Sequence, residues 1–384
     1  MNFKKIIGFI HLWLGLLSGF VVFVVSLTGC LYAFQQEIQD ALQDFRFSKV
    51  ENKAILPPSA FEAVARKTLP KAHLHAINYP AKGRSVEAIF FDFAPNEHYY
   101  IVYHNPYTAE VLHVQNMEET FFHWVLDGHY YLWLPPEIGQ PITSYATLIF
   151  VILLITGIVL WWPKNKAAAK QRFWFRWKDA TQWKRKNYDL HNILGFYSSA
   201  LLLIIAVTGI FFGIQWFTYL IYNATGGEKN LLFTEPVSQK PIQTNFKKPV
   251  TDLIWEKMKA EHPDAVSLEV HAIESDSSTI GANVNKKDGV YWSIDYRYFD
   301  QYTLKEISVD HVYGRLKDAN VADKLIRMTY DIHTGGILGF AGKVLAFLLS
   351  VVATSLPITG FMVWWGRRKK KERTAVKSAK VEVI

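Results

Sequence analysis

The chain has 384 residues, of which 50% are apolar, 15% aromatic and 20% charged, with a net charge of +8. That much apolar surface excludes disorder and collagen-like repeats. A single cysteine excludes a disulfide scaffold, a cysteine-based zinc site and an iron–sulfur centre, and no Cys-x-x-Cys-His run exists for covalent c-type haem attachment.

Four apolar stretches reach the roughly 20 residues that a helix needs to cross a bilayer. They run Ile6–Phe34, about Ile142–Trp162, about Leu190–Trp216 and about Ile337–Trp365. Trp161-Trp162 and Trp364-Trp365, each followed within a few residues by Lys or Arg, have the character of interface anchors. Lys4 and Lys5 precede the first span, residues 163–189 hold nine basic and two acidic side chains, and residues 366–384 hold eight and two. The long segments are acidic: 8 basic against 13 acidic over 35–140, and 14 against 17 over 218–332. By the positive-inside rule the N-terminus, middle loop and C-terminus are expected to be cytoplasmic. The positive charge is thus a topology signal and not a nucleic-acid signal.

Leu27-Thr28-Gly29-Cys30 after an apolar run has the form of a lipoprotein cleavage site. Against that, the run is long for a signal peptide, it contains His11, and Thr-Gly recurs in every span: Thr28-Gly29, Thr156-Gly157, Thr208-Gly209 and Thr359-Gly360. The recurrence is also an internal repeat. His11 precedes Thr28 by 17 residues, His191 precedes Thr208 by 17, and both open a His-x-x-x-Gly run. His129 and His333 precede the Thr-Gly of spans two and four by 27 and 26 residues.

Each long segment between spans predicts one small α+β domain, a helix packed on an antiparallel sheet. In the first, residues 57–69 have helix-start chemistry and an apolar face, and Phe90–Phe93, Tyr99–Tyr103 and Glu110–Val114 have strand composition. In the second, Val250–Ala260 is the helix and Val290–Tyr298 the strand. Both end in similar turns, Asn105-Pro106-Tyr107-Thr108 and Asp300-Gln301-Tyr302-Thr303.

These residues resemble the PepSY-associated transmembrane family over nearly the whole chain. The resemblance rests on four pieces in order. They are His11-Leu12-Trp13-Leu14-Gly15 with Leu27-Thr28-Gly29, then Asn105 to Leu112, in which Ala109 stands where the family pattern usually has Gly. Tyr188-Asp189-Leu190-His191 with Val207-Thr208-Gly209 follows, and then Tyr330 to Gly335 with Leu356 to Gly360. The resemblance implies a bacterial inner-membrane protein tied to iron uptake, closest to the FoxB-like siderophore reductases with two b-type haems. The expected architecture is a four-helix transmembrane bundle, all-α in the membrane, with two periplasmic PepSY-like α+β domains and a two-fold internal repeat. Its boundaries are spans at 1–35, 139–163, 188–217 and 333–366, external domains at 36–138 and 218–332, a basic loop at 164–187 and a basic tail at 367–384.

The residues support a cofactor site on their own terms. An unpaired histidine inside a membrane is costly, so four on four helices point to function. Topology sets His11 and His191 at the cytoplasmic level and His129 and His333 at the periplasmic level. Two levels of two imidazoles suit two six-coordinate haems. Gly29 and Gly209 each follow a histidine by 18 residues, five helical turns or about 27 Å, and so lie on the histidine's face at the opposite level. Gly157 and Gly360 fall at the level of His11 and His191. The missing side chains are expected to leave room for the macrocycle, and small residues also let membrane helices pack closely. Lys343, the only charged residue within the four apolar stretches, is a candidate partner for a haem propionate, about 15 Å along a helix from His333; snorkelling to the interface is the other reading. His123 competes with His129 as ligand. His73-x-His75 fits a metal-ligand pair or, more simply, an exposed strand face.

No Gly-x-Gly-x-x-Gly after a strand, P-loop, nucleophile elbow or His-Glu-x-x-His occurs. The expected activity is electron transfer from a cytoplasmic or quinol donor to a periplasmic ferric siderophore. The alternatives are a quinol-linked cytochrome with another periplasmic acceptor, a cofactor-free module binding a partner protein, and a metal transporter.

Overall fold

The computed structural model describes residues 3–92, 98–163, 165–239 and 246–381. It has two compact units: Met1–Phe34, Val125–Thr218 and Ile332–Ile384 form one, and Gln35–Trp124 with Tyr219–Asp331 forms the other.

In the first unit, Phe3–Tyr32, Pro136–Trp161, Trp183–Gly213 and Gly336–Arg368 are long and apolar enough to cross a membrane. The second begins six residues before the expected Ile142, because Pro136 opens it at a position where a missing N–H costs nothing. The third begins before Leu190 and takes a π turn at Leu190–Leu194. The first helix packs on the second and fourth, and the third packs on the same two. Leu154, Leu202, Leu349 and Ala353 are buried among them. Hydroxyls within the helices give their protons back to their own backbone, as from Thr28 to Val24 O at 2.8 Å and from Thr208 to Ile204 O at 2.9 Å. Polar groups are thereby satisfied inside apolar surroundings.

Short helices, Phe121–Tyr131 and Val321–Thr334, precede the second and fourth spanning helices. The first ends at Leu132 and Trp133, with φ of 55° and 57°, and the second at Gly335, with φ of 78°. Both chains then fold back tightly. A Cβ at Gly139 would collide with Tyr131 O, and one at Gly342 with Gly335 O, so only glycine fits these turns.

The second unit corrects an expectation. Instead of two separate α+β domains, it holds one eight-stranded antiparallel sheet in the order β4-β3-β2-β1-β5-β6-β7-β8. The first segment supplies β1 (Leu74–Tyr79), β2 (Val86–Asp92), β3 (His98–His104) and β4 (Val111–Asn116). The second supplies β5 (Ser267–His271), β6 (Thr279–Asn285), β7 (Asp295–Asp300) and β8 (Glu306–Ile307). The join is β1 on β5, with Ile77 opposite Val270. Two separate sheets would each leave an inner strand edge unpaired, and the join removes both edges. Helices Pro58–Thr68 and Val250–Glu261 cover the sheet, burying Phe61, Ile254 and Met258 against Leu74, Ile77, Val102 and Phe299.

The expected strand at Val290–Tyr298 starts only at Asp295, since the Tyr291 and Trp292 N–H groups instead donate to the Asp331 carboxylate. Phe93, placed by composition in the β2 run, lies outside the described residues. Ala109 has φ 58° and Leu304 has φ 55°, each just after its Tyr-Thr turn. That left-handed backbone is why glycine suits the first of these positions.

Candidate functional site

Each of the four histidines in the membrane unit is docked on one Thr-Gly pair of another helix. His11 Nδ1 is 2.9 Å from Thr156 Oγ1, and His191 Nδ1 is 3.0 Å from Thr359 Oγ1. His129 Nδ1 lies 2.8 Å from Val25 O and 3.3 Å from Thr28 Oγ1. His333 Nδ1 repeats this with Ile205 O at 2.9 Å and Thr208 Oγ1 at 3.3 Å. All four hydroxyl protons point to carbonyls of their own helices, with Thr156 donating to Ile152 O and Thr359 to Ser355 O, both at 2.8 Å. The hydroxyl oxygens therefore face the imidazoles as acceptors, and Nδ1 must carry the ring proton. That tautomer leaves Nε2 with a free lone pair, the form in which histidine ligates a metal.

The glycines receive the rings. A Cβ built on Gly157 would be 3.4 Å from His11 Cε1, and on Gly360 3.1 Å from His191 Cε1. The corresponding distances are 3.3 Å from Gly29 to His129 and 3.0 Å from Gly209 to His333. The levels assigned to the glycines agree with the sequence reading. At each glycine an imidazole packs against the point where a side chain would begin. The threonines are the functional residues that sequence reasoning missed, although their recurrence was the signal.

The histidines meet in pairs. His11 and His191 line one cavity of about 980 Å3, walled by apolar side chains such as Leu153, Leu356 and Phe361, with Lys4, Tyr188 and Arg367 also on its lining. The His129 and His333 rings lie with centroids 6.1 Å apart and planes at 65°. Two imidazoles bound to one ion through Nε2, with bonds of about 2 Å and about 1 Å from nitrogen to ring centre, set their centroids about 6 Å apart. The His129/His333 spacing therefore fits one iron held between two imidazoles, and His11 and His191 share one cavity.

Two buried aspartates lie on the helices that carry His191 and His333. Asp189, two residues before His191, accepts hydrogen bonds from Trp177 Nε1 at 3.1 Å and Arg185 Nε at 2.9 Å. Asp331, two residues before His333, takes the Tyr291 and Trp292 N–H groups, and burial pushes its carboxyl above the usual carboxylate range.

Lys343 is half-buried. The expected 15 Å rise from His333 is corrected, because the helix breaks at Gly335 and restarts at Gly339. The fold-back brings the Lys343 backbone N to 3.0 Å from a Cβ built on Gly335, two residues beyond His333. His123 shares the helix of His129 but is turned about 240° around its axis at six residues' distance. Among the described residues no group of three or more His, Cys, Asp or Glu is drawn together as a metal site.

No curated protein matches the sequence. The family description PepSY-associated TM region matches residues 9–367, nearly the whole chain and all four apolar helices. The chain is a membrane protein belonging to that family.

Proposed function

We propose that the protein is a di-haem electron carrier of the bacterial inner membrane that reduces ferric siderophores in the periplasm. The observation that carries this is the common state of four imidazoles, each tied at Nδ1 and free at Nε2, grouped as His11 with His191 and His129 with His333. His11 with His191, and His129 with His333, would each hold a haem b, which would supply one-electron chemistry.

The chain's own residues do the rest. Thr28, Thr156, Thr208 and Thr359 fix ring orientation and raise imidazole basicity by accepting from Nδ1. Apolar side chains such as Leu153, Leu356 and Phe361 wall the cavity around His11 and His191. The basic segments at 163–189 and 366–384 support a cytoplasmic position for both termini, with the His11 level on that side. Siderophore oxygen donors are hard and favour Fe(III), so reduction to Fe(II) loosens the chelate.

The test is a purified, detergent-solubilised chain. Extracted pigment should amount to two haem b per chain, with His11→Ala and His191→Ala losing one haem and His129→Ala and His333→Ala losing the other. Mixing the dithionite-reduced protein anaerobically with a ferric siderophore should oxidise it and release Fe(II) to a colorimetric chelator. A colourless protein, or a reduced spectrum indifferent to every ferric chelate tried, would overturn the proposal.

A further inference from the structure

We propose that the β1–β5 join of the sheet binds one divalent transition-metal ion through His73, His75, His271 and Glu274. This goes beyond electron transfer and does not depend on haem.

Beside the join, β1 has an irregular register against β2 between Leu74 and Ala76, and such bulges re-aim side chains. The His75 ring sits 4.5 Å, centroid to centroid, from that of His271 on the neighbouring strand. Glu274, just past β5, sets Oε1 3.5 Å from His73 Nε2 and 3.6 Å from His75 Nδ1. His73 Nδ1 is 3.2 Å from the Phe91 carbonyl oxygen, so its ring proton is committed there and Nε2 turns a lone pair toward the carboxylate. A cation shared by the two, a proton or a metal ion, satisfies both.

His271 is prepared in the same way. Its Nε2–H donates to Glu269 Oε1 at 3.0 Å, and Asn283 Nδ2 holds that same oxygen at 2.7 Å. A carboxylate behind an imidazole fixes the tautomer and leaves Nδ1 as the ligating atom. The ring lies flat over Gly281, where a Cβ would come within 2.9 Å of it. Glycine inside a strand marks this kind of close approach.

Between 25% and 36% of each of the four ligand side chains is exposed, so an ion can enter from solution. Imidazole nitrogens with one carboxylate suit Zn(II), Ni(II), Cu(II) or Fe(II), and not Mg(II) or Ca(II), which take oxygen. No ligand group is closed among the described residues. His73, His75 and Glu274 already converge, and binding requires a local side-chain adjustment that brings His271 Nδ1 to the same point. Because β1 and β5 come from the two halves of the sheet, the ion ties those halves together.

The test titrates Zn(II) into the full chain, free of any affinity tag, against a competing chromogenic chelator at pH 7.5 with excess Mg(II). One equivalent per chain should bind and raise the thermal midpoint. His75→Ala and His271→Ala should abolish that equivalent, and Glu269→Gln, which only orients His271, should weaken it about 10- to 100-fold. A second arm needs no substitution: at pH 5 the ion should leave, since its imidazoles must first lose protons. No bound equivalent, equal affinity in all variants, or unchanged binding at pH 5 overturns the proposal.

Discussion

The His191 imidazole rests on Gly360, with 3.1 Å between its Cε1 and the point where a Cβ would stand, while Thr359 accepts from its Nδ1. One Thr-Gly pair thus fixes both the depth and the rotation of the ring. The tightest of the four contacts is Gly209 on His333, at 3.0 Å, and the loosest is Gly157 on His11, at 3.4 Å.

That ranking predicts a graded response to alanine. Overpacking at a close contact costs about 1–3 kcal/mol, and here it pushes a ligand off its position. Gly209→Ala and Gly360→Ala should each lose most of one haem, whereas Gly157→Ala should keep both. The ratio of haem to protein after purification measures this. Full occupancy with unchanged spectra in Gly209→Ala would show that the ring moves freely.

The threonines should separate by level. For His11 and His191 the hydroxyl contact is short, at 2.9 and 3.0 Å. For His129 and His333 a carbonyl is nearer than the hydroxyl, at 2.8 and 2.9 Å against 3.3 Å. An acceptor on Nδ1–H makes the imidazole a stronger donor and favours the ferric ion. Thr156→Val and Thr359→Val should therefore raise the potential of the His11/His191 haem, at a cost in stability of about 1 kcal/mol each. Thr28→Val and Thr208→Val should move the other potential less. Redox titration of the four variants decides this, and equal shifts at both levels would contradict it.

The spanning helices were legible because four apolar runs of this length have few other solutions, and the histidine pairs were legible from repeated spacing. The imidazole contacts of Gly29, Gly157, Gly209 and Gly360 were not, since spacing gives the face and level of a residue but not which side chain packs against it. The joined sheet was also hidden. Ile77 and Val270 are 193 residues apart and pair across the middle of the sheet, and no local pattern encodes a pairing of that separation. β1 was missed because its bulge at His75 breaks the alternation, and β6 because Gly281, Asn283 and Asn285 dilute its strand character.

Lys343 offers a test of the fold-back at Gly335. Its backbone sits at the turn just after His333, so its charge acts mainly at that level. A nearby positive charge favours the reduced, less positive centre. Lys343→Met keeps the bulk and should lower the potential of the His129/His333 haem while leaving the His11/His191 haem nearly unchanged. Two unaltered potentials in a redox titration would assign the side chain to the lipid interface alone.

The sheet unit carries a pH-dependent clamp at Asp40. Arg46 Nε donates to Asp40 Oδ1 at 2.8 Å and Arg84 Nη1 donates to the same oxygen at 3.0 Å, while Arg84 Nη2 bonds Oδ2. Burial alone would raise the Asp40 carboxyl, but the Arg84 and Arg46 hydrogen bonds and charges hold it below the usual range. A carboxyl depressed in the folded state stabilises fully above its unfolded value, about 3.9, and that contribution is lost as pH falls through the folded value. Asp40→Asn should therefore destabilise the sheet unit at pH 7 by about 1.5–3 kcal/mol, as expected for hydrogen bonds to charged groups. The difference from the parent should shrink below pH 4. Denaturant unfolding of both proteins at pH 7 and pH 3.5, followed by tryptophan fluorescence, measures it, and a gap as large at pH 3.5 as at pH 7 would remove Asp40 ionisation as the cause.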